Sequence, residues 1–253
     1  MNSICSVKDL HFSYKKEKPV LSGISFSAVG NEIIGIIGKN GSGKSTLLNI
    51  LAGFIKGYRG DVFINNVNAK VLTLKERAKI VSYIPQKKIT LPDYYIVEDF
   101  VMEGCRPFRN FGMYKPEDYE NSDKVLEECK LTAFKTKPIS ELSGGEMQRC
   151  VFARAIMKRA KLFLFDEPNS ELDIKYQRDF FYLANKLKNG GGAVLIAVHD
   201  INLAVRSCDR LLVLSDGIIL YDGRADAISA DVLSHAFDVD VFTVPQTKKN
   251  FYY

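Results

Sequence analysis

Gly38-Lys39-Asn40-Gly41-Ser42-Gly43-Lys44-Ser45 is the stretch around which the rest of this chain is organised. The eight residues fit G-x-x-x-x-G-K-[ST], and each fixed position has a physical task. Gly38, Gly41 and Gly43 let the backbone wrap closely, so that successive N–H groups can point at phosphate oxygens. A helix opening at the end of the loop adds the positive end of its dipole. Lys44 has the reach to meet β- and γ-phosphates as a point charge, and the Ser45 hydroxyl suits a magnesium ion. Asn40, Ser42 and Thr46 complete the candidate nucleotide contacts. The surroundings are those the motif requires. Residues 32–38 read as an apolar strand, and Leu47, Leu48 and Leu51 recur beyond the loop at helical spacing. A chain of average composition shows the pattern by chance roughly once in a hundred times. A triphosphate site is therefore expected here.

Downstream, Leu162-Phe163-Leu164-Phe165-Asp166-Glu167 reads as a buried strand ending in two carboxylates. Alone it would read equally well as a strand and a solvated acidic turn. Beside a phosphate loop, Asp166 can hold magnesium through water, and Glu167 can polarise an attacking water as general base. From residue 145 the pattern runs helix, strand (161–166), helix (174–188), strand (193–198), helix (201–207). That alternation implies a mostly parallel sheet covered on both faces. Upstream, residues 4–12 and 24–29 read as strands, with a turn at Val29-Gly30-Asn31 before the strand at 32–38. Further strands are expected at 61–64 and 80–84, and Asp216-Gly217 suits a hairpin between 210–214 and 218–222. Between about 91 and 145 the strand signals fade. Helices at 97–103 and 117–130 suggest a helical subdomain inserted into one domain of residues 1–245, followed by a loosely held tail, 246–253.

Composition narrows the class. The 253 residues carry a net charge of +5 and are 46% hydrophobic and 26% charged, as in an ordinary globular domain. No stretch reaches the roughly 18 consecutive apolar residues of a membrane-spanning helix. The opening MNSICSVKDLHFSY has no basic segment leading into an apolar core, so no secretory signal is expected. Basic residues form short clusters (Lys15-Lys16, Lys87-Lys88, Lys158-Arg159, Lys248-Lys249) rather than a stripe, which argues for solvated surface and against a nucleic-acid partner. Cys5, Cys105, Cys129, Cys150 and Cys208 are odd in number, widely spaced and free of any C-x-x-C, so reduced, core-filling thiols are expected.

Leu142-Ser143-Gly144-Gly145-Glu146-Met147-Gln148-Arg149 resembles the signature of ATP-binding-cassette (ABC) ATPases. The likeness spans about residues 4–244. Tyr14 resembles the aromatic that stacks on adenine, Gln86 the family's glutamine loop, Leu172-Asp173 the end of the D-loop, and His199 the switch histidine. A lone histidine at a strand end is more often structural; here the order of landmarks reverses that. The resemblance implies an α/β ABC ATPase fold with a mostly parallel core sheet, an antiparallel N-terminal part and the helical insertion. It implies ATP and magnesium as cofactors, with Glu167, His199 and Gln86 in catalysis and Ser45, Gln86 and Asp166 near the metal. It also implies a head-to-tail homodimer, in which Ser143, Gly144, Gly145 and Asp173 of one copy complete the other's nucleotide site. One departure stands out. Glu167-Pro168-Asn169-Ser170-Glu171-Leu172-Asp173 places Asn169 and Glu171 where the family usually has Thr and a small residue, on the dimer seam.

Among such cassettes, Val97 to Phe108, His199-Asp200-Ile201-Asn202-Leu203-Ala204 and Cys208-Asp209-Arg210 resemble the group serving iron-chelate, haem and cobalamin importers. The insertion of Cys105 and the loss of a following His depart from that group's Gly-Arg-x-Pro turn. The likeness implies an ATPase subunit peripheral to the cytoplasmic face of the cell membrane. Its partners would be separate permease subunits and, through them, an extracytoplasmic solute-binding protein. The alternatives are a cassette for another small solute and a soluble ATPase of iron–sulfur assembly. A repair or translation cassette would carry a long coiled coil or a second cassette. A nucleotide sensor without turnover would have no use for Glu167 and His199.

Overall fold

The apolar strands and amphipathic helices anticipated from sequence assemble into two sheets in a computed structural model that describes residues 3–15, 18–86, 92, 94–109, 113–168 and 174–242. Asp173, Asn169 and Glu171, and the tail at 246–253, lie outside these residues. In chain order come β1 (Ser3–Lys15), β2 (Lys18–Val29), β3 (Glu32–Ile37), α1 (Lys44–Ala52), β4 (Arg59–Ile64), β5 (Val67–Asn68), α2 (Leu74–Ile80) and β6 (Val81–Ile84). There follow α3 (Val97–Met102), α4 (Pro116–Glu128), α5 (Gly144–Met157), β7 (Leu162–Asp166), α6 (Ile174–Asn189), β8 (Ala193–Ala197), α7 (Ile201–Ser207), β9 (Arg210–Ser215), β10 (Ile218–Arg224) and α8 (Ala230–Phe237).

Among the described residues, the core sheet has the order β10-β9-β3-β8-β7-β6, parallel throughout except for β10. A second, antiparallel sheet runs β2-β1-β4-β5. The two-residue period of the core strands sorts their side chains between two cores. Ile33, Ile37, Phe163, Phe165, Val194 and Ile196 pack with the helical layer, against Phe100, Phe152 and Phe180. Ile34, Ile36, Leu162, Leu164 and Leu195 face the other way, onto Leu47, Leu48 and Leu51 of α1 and Leu10 and Val62 of the antiparallel sheet. Both faces of the core sheet are thus covered, which is why its strands are continuously apolar. Phe152, Phe165 and Phe180 lie with ring centroids 4.9–5.3 Å apart, locking α5 and α6 onto the strand that ends in Asp166.

The main departures from the sequence expectation are local. The strand expected from residue 80 begins at Val81, because Ile80 ends α2, a helix the apolar pattern did not reveal. Its signal was the Thr73-x-x-Glu76 capping box: Thr73 Oγ1 accepts from the Glu76 N–H, while Glu76 Oε2 accepts from the Thr73 N–H. The helix expected at 97–103 stops at Met102 and tightens into a 3-10 turn, Glu103–Phe108, that contains Pro107. The acidic helix α4 has three of its carboxylates answered within the chain. Asp118 pairs with Arg109, Asp123 with Lys135 at 2.6 Å and Glu128 with Lys186 at 3.5 Å. The Arg109 guanidinium holds the Asp118 carboxyl below the usual carboxylate range. All five cysteines are buried and unpaired.

Parallel strands place their carboxyl ends on one edge. Gly38 follows β3, Asp166 ends β7, His199 follows β8 and Gln86 follows β6. This is the edge where open α/β sheets bind ligands.

Candidate functional site

The phosphate loop joins β3 to α1 through backbone that only glycine tolerates. Gly38 has φ 152, and a Cβ there would lie 2.1 Å from the Leu214 carbonyl oxygen. Gly43 caps α1 at φ 105, and a Cβ there would meet Leu21 Cδ2 at 2.6 Å. Loop and helix start border a cleft of about 510 Å³ lined by Tyr14, Lys15, Lys18, Asn40, Lys44 and Thr46 among others, a volume that suits a small organic ligand. Gly41, Gly43, Ser45 and Glu167 also line it. Tyr14 stands at the rim, 64% exposed, with its hydroxyl 3.3 Å from Thr46 Oγ1 and its ring edge-on to Phe12.

Lys44 is 4% exposed and folds back on the loop, donating to the carbonyl oxygens of Gly38 at 2.9 Å and Lys39 at 3.1 Å. Burial pulls its ammonium below the ordinary lysine value, against the opposing pull of the Glu167 and Asp166 carboxylates. Ser42 Oγ is buried with no hydrogen-bond partner. An orphaned hydroxyl in a glycine loop at the start of a helix is what a phosphate oxygen would satisfy. The Ser45 hydroxyl donates to Asp166 Oδ1 at 2.8 Å. These two oxygen donors, side by side, have the hard-ligand chemistry that magnesium takes. Burial raises the Asp166 carboxyl, with the Ser45 and Tyr83 hydrogen bonds opposing.

Glu167 is 8% exposed and sits at φ 50, a left-handed conformation uncommon for a non-glycine residue. Such backbone concentrates at functional sites. Its Oε2 is held by Gln86 Nε2 at 2.6 Å and by His199 Nε2 at 2.5 Å, while Oε1 lies 3.8 Å from Lys44 Nζ. Gln86 therefore meets the second carboxylate rather than the Ser45–Asp166 pair. The signature turn lies elsewhere. Ser143 caps α5 in a capping box with Glu146, and Ser143 and Gly144 face solvent without lining the cleft, while Gly145 is buried. Asp173 lies outside the described residues.

Two contributors escaped the sequence reading. Tyr83 donates from its hydroxyl to Asp166 Oδ2 at 3.2 Å, and burial and the Asp166 carboxylate push its phenol above its ordinary value, so it stays a donor. Arg77 of α2 caps the far end of α1, donating to the carbonyls of Ile50 at 3.2 Å and Leu51 at 3.0 Å. That satisfies carbonyls a helix terminus leaves open.

A glycine loop between a parallel strand and a helix, with a buried lysine near one strand-end carboxylate and a serine bonded to the other, defines a P-loop nucleotide-hydrolysing cassette. The profile of the ABC transporter family matches residues 21–170, and the chain belongs to that family, as an ATP-binding ATPase. It is 35% identical over 240 residues to a probable iron chelatin transport ATP-binding protein of Helicobacter pylori, covering 93% of each chain. It is 34% identical over 233 residues to the hemin import ATP-binding protein of Bradyrhizobium diazoefficiens, covering 87% of this chain and 84% of that one. A solved inward-facing conformation of an ABC transporter assigned to the metal-chelate type superposes with a TM-score of 0.80 at 28% identity, covering 94% of this chain and 90% of that one.

Proposed function

We propose that this chain energises an importer of a metal chelate (iron–siderophore, haem or cobalamin) as a head-to-tail pair of cassettes. The pair sits peripherally on the cytoplasmic face of the membrane beneath separate permease subunits, which receive solute from an extracytoplasmic binding protein. The observation that carries the substrate class is the nearly full-length likeness to relatives named for iron chelatin transport and hemin import. Among the described residues no helix is long and apolar enough to cross a membrane, which agrees with a permease supplied by other chains.

The geometry supports the following division of labour. Lys44 leaves the carbonyls of Gly38 and Lys39 for the β- and γ-phosphates, and Ser42 Oγ finds its partner on a phosphate oxygen. Ser45 and Asp166 would hold magnesium, which when bound neutralises charge on the β- and γ-phosphates. With Oε2 anchored by Gln86 and His199, Glu167 presents Oε1 towards the cleft, where it accepts the proton of the attacking water. In the closed pair His199 exchanges Glu167 Oε2 for the γ-phosphate, and Gln86 keeps hold of that oxygen. The exposed turn at Ser143, at the N-terminus of α5, caps that phosphate from the second copy. Each site is incomplete in one copy, so ATP favours the closed pair and hydrolysis releases it. Gln86, between the catalytic carboxylate and the helical segment, transmits that cycle to the permease.

The test is uptake. In cells lacking this chain, the wild-type chain is expected to restore entry of one labelled compound among an iron–siderophore, haem and cobalamin, and Lys44→Ala to restore none. A wild-type chain that copurifies with a permease yet restores uptake of no metal chelate contradicts the proposed substrate class.

A further inference from the structure

We propose that Tyr83 is a positioning residue for the metal-binding carboxylate: its phenol sets the rotation of Asp166, and the exposed ring of Phe54 holds Tyr83 in place. This rests on the reading that Asp166 holds magnesium.

The geometry is a short chain of contacts from the surface to the site. β6 and β7 run parallel, with Tyr83 opposite Leu164, so the Tyr83 side chain reaches past the strand end to Asp166. Each oxygen of that carboxylate accepts one donor: Oδ1 from Ser45 at 2.8 Å, Oδ2 from Tyr83 at 3.2 Å. Donors on opposite oxygens fix a carboxylate's rotation, and such outer partners orient metal ligands. Ser45 belongs to the phosphate-loop helix and is itself braced by Asn49, whose amide donates to the Ser45 carbonyl at 2.7 Å. The phenol is the brace that comes from the sheet. Asp166 is 4% exposed, so losing that donor leaves Oδ2 in a place water barely reaches.

Phe54 extends the chain outward. It follows Gly53, the C-cap of α1, and is 66% exposed, yet its ring meets the Tyr83 ring edge-on at 5.2 Å and 68°. The same strand leads three residues on to Gln86, which holds Glu167. A displacement of Phe54 at the surface thus reaches the magnesium-holding carboxylate through Tyr83.

The readout is Mn²⁺ binding, followed by electron paramagnetic resonance on the full chain with a non-hydrolysable ATP analogue. Nucleotide affinity in chelator and the magnesium dependence of turnover are measured alongside. Tyr83→Phe is expected to weaken Mn²⁺ binding about tenfold, to raise the magnesium needed for half-maximal turnover in step, and to leave metal-free nucleotide binding unchanged. Phe54→Ala, at an exposed position where folding is little affected, is expected to shift both in the same direction by a smaller factor. Asp166→Asn is the reference for the underlying reading. Wild-type Mn²⁺ affinity in Tyr83→Phe, with Asp166→Asn weakened, overturns the positioning role; wild-type affinity in Asp166→Asn overturns the metal reading itself. Loss of metal-free nucleotide binding in Tyr83→Phe, or wild-type metal affinity in Phe54→Ala, overturns the specific role of the phenol or its link to the surface, respectively.

Discussion

Glu167→Gln is expected to bind ATP and to stop hydrolysing it, with turnover lower by about a hundred- to ten-thousandfold, the range for removing a positioned general base. The amide keeps the shape of the side chain and an acceptor oxygen for Gln86, but it cannot take a proton from water. In the structure the carboxylate is clasped on one oxygen by Gln86 and His199 and turned towards Lys44 on the other. The variant should therefore retain the φ 50 turn and the cleft, and change chemistry rather than fold. Because ATP is proposed to hold two copies together, arresting hydrolysis should trap the pair, and size exclusion with ATP should show a dimer. Wild-type phosphate release by this variant would remove Glu167 from the mechanism. A monomer under saturating ATP would instead contradict the shared site.

Lys44→Ala is expected to weaken nucleotide binding by about ten- to a hundredfold, because a hydrogen bond between charged groups contributes roughly 1.5–3 kcal/mol. Without nucleotide the cost to the fold should be small. Burial already disfavours the ammonium, and its bonds to Gly38 and Lys39 carbonyls offset that rather than adding a large net gain. The measurement is thermal unfolding over a series of ATP concentrations: the wild-type midpoint should rise with ligand concentration as binding linkage requires, and that of the variant should follow only at about ten- to a hundredfold higher ATP. Equal ligand-induced shifts in both proteins would place the triphosphate elsewhere.

Much of the site was legible in the sequence because its pieces are local. A phosphate loop is eight contiguous residues whose glycines, lysine and serine announce themselves, and Asp166-Glu167 ends an apolar run of the right length. The parallel core followed from alternating strands and helices. What escaped was set by tertiary approach. Tyr83 reads as an ordinary β-strand aromatic, and only the parallel pairing of β6 with β7 brings its hydroxyl to Asp166. Arg77 reads as a surface cation on an undetected helix, and only the packing of α2 against the end of α1 buries it. Gln86 and His199 were identified as site residues by family likeness. That both would converge on one oxygen of Glu167 depends on the register of β6, β7 and β8, which no spacing along the chain specifies. The signature turn at Ser143 shows the opposite case, a motif evident in sequence that has no partner in the cleft of its own copy.

The shared site is tested most directly by mixing two inactive proteins. Lys44→Ala disables the phosphate loop of the copy that carries it, and Ser143→Arg disables the cap that copy offers to its neighbour. Each homodimer should be inert. In a mixed pair both lesions fall in one site and leave the other wholly native, so phosphate release from the mixture should rise well above that of either parent. A mixture that stays as inert as its parents despite demonstrated mixed dimers, or a Ser143→Arg homodimer that turns over ATP as the wild type does, would contradict the account.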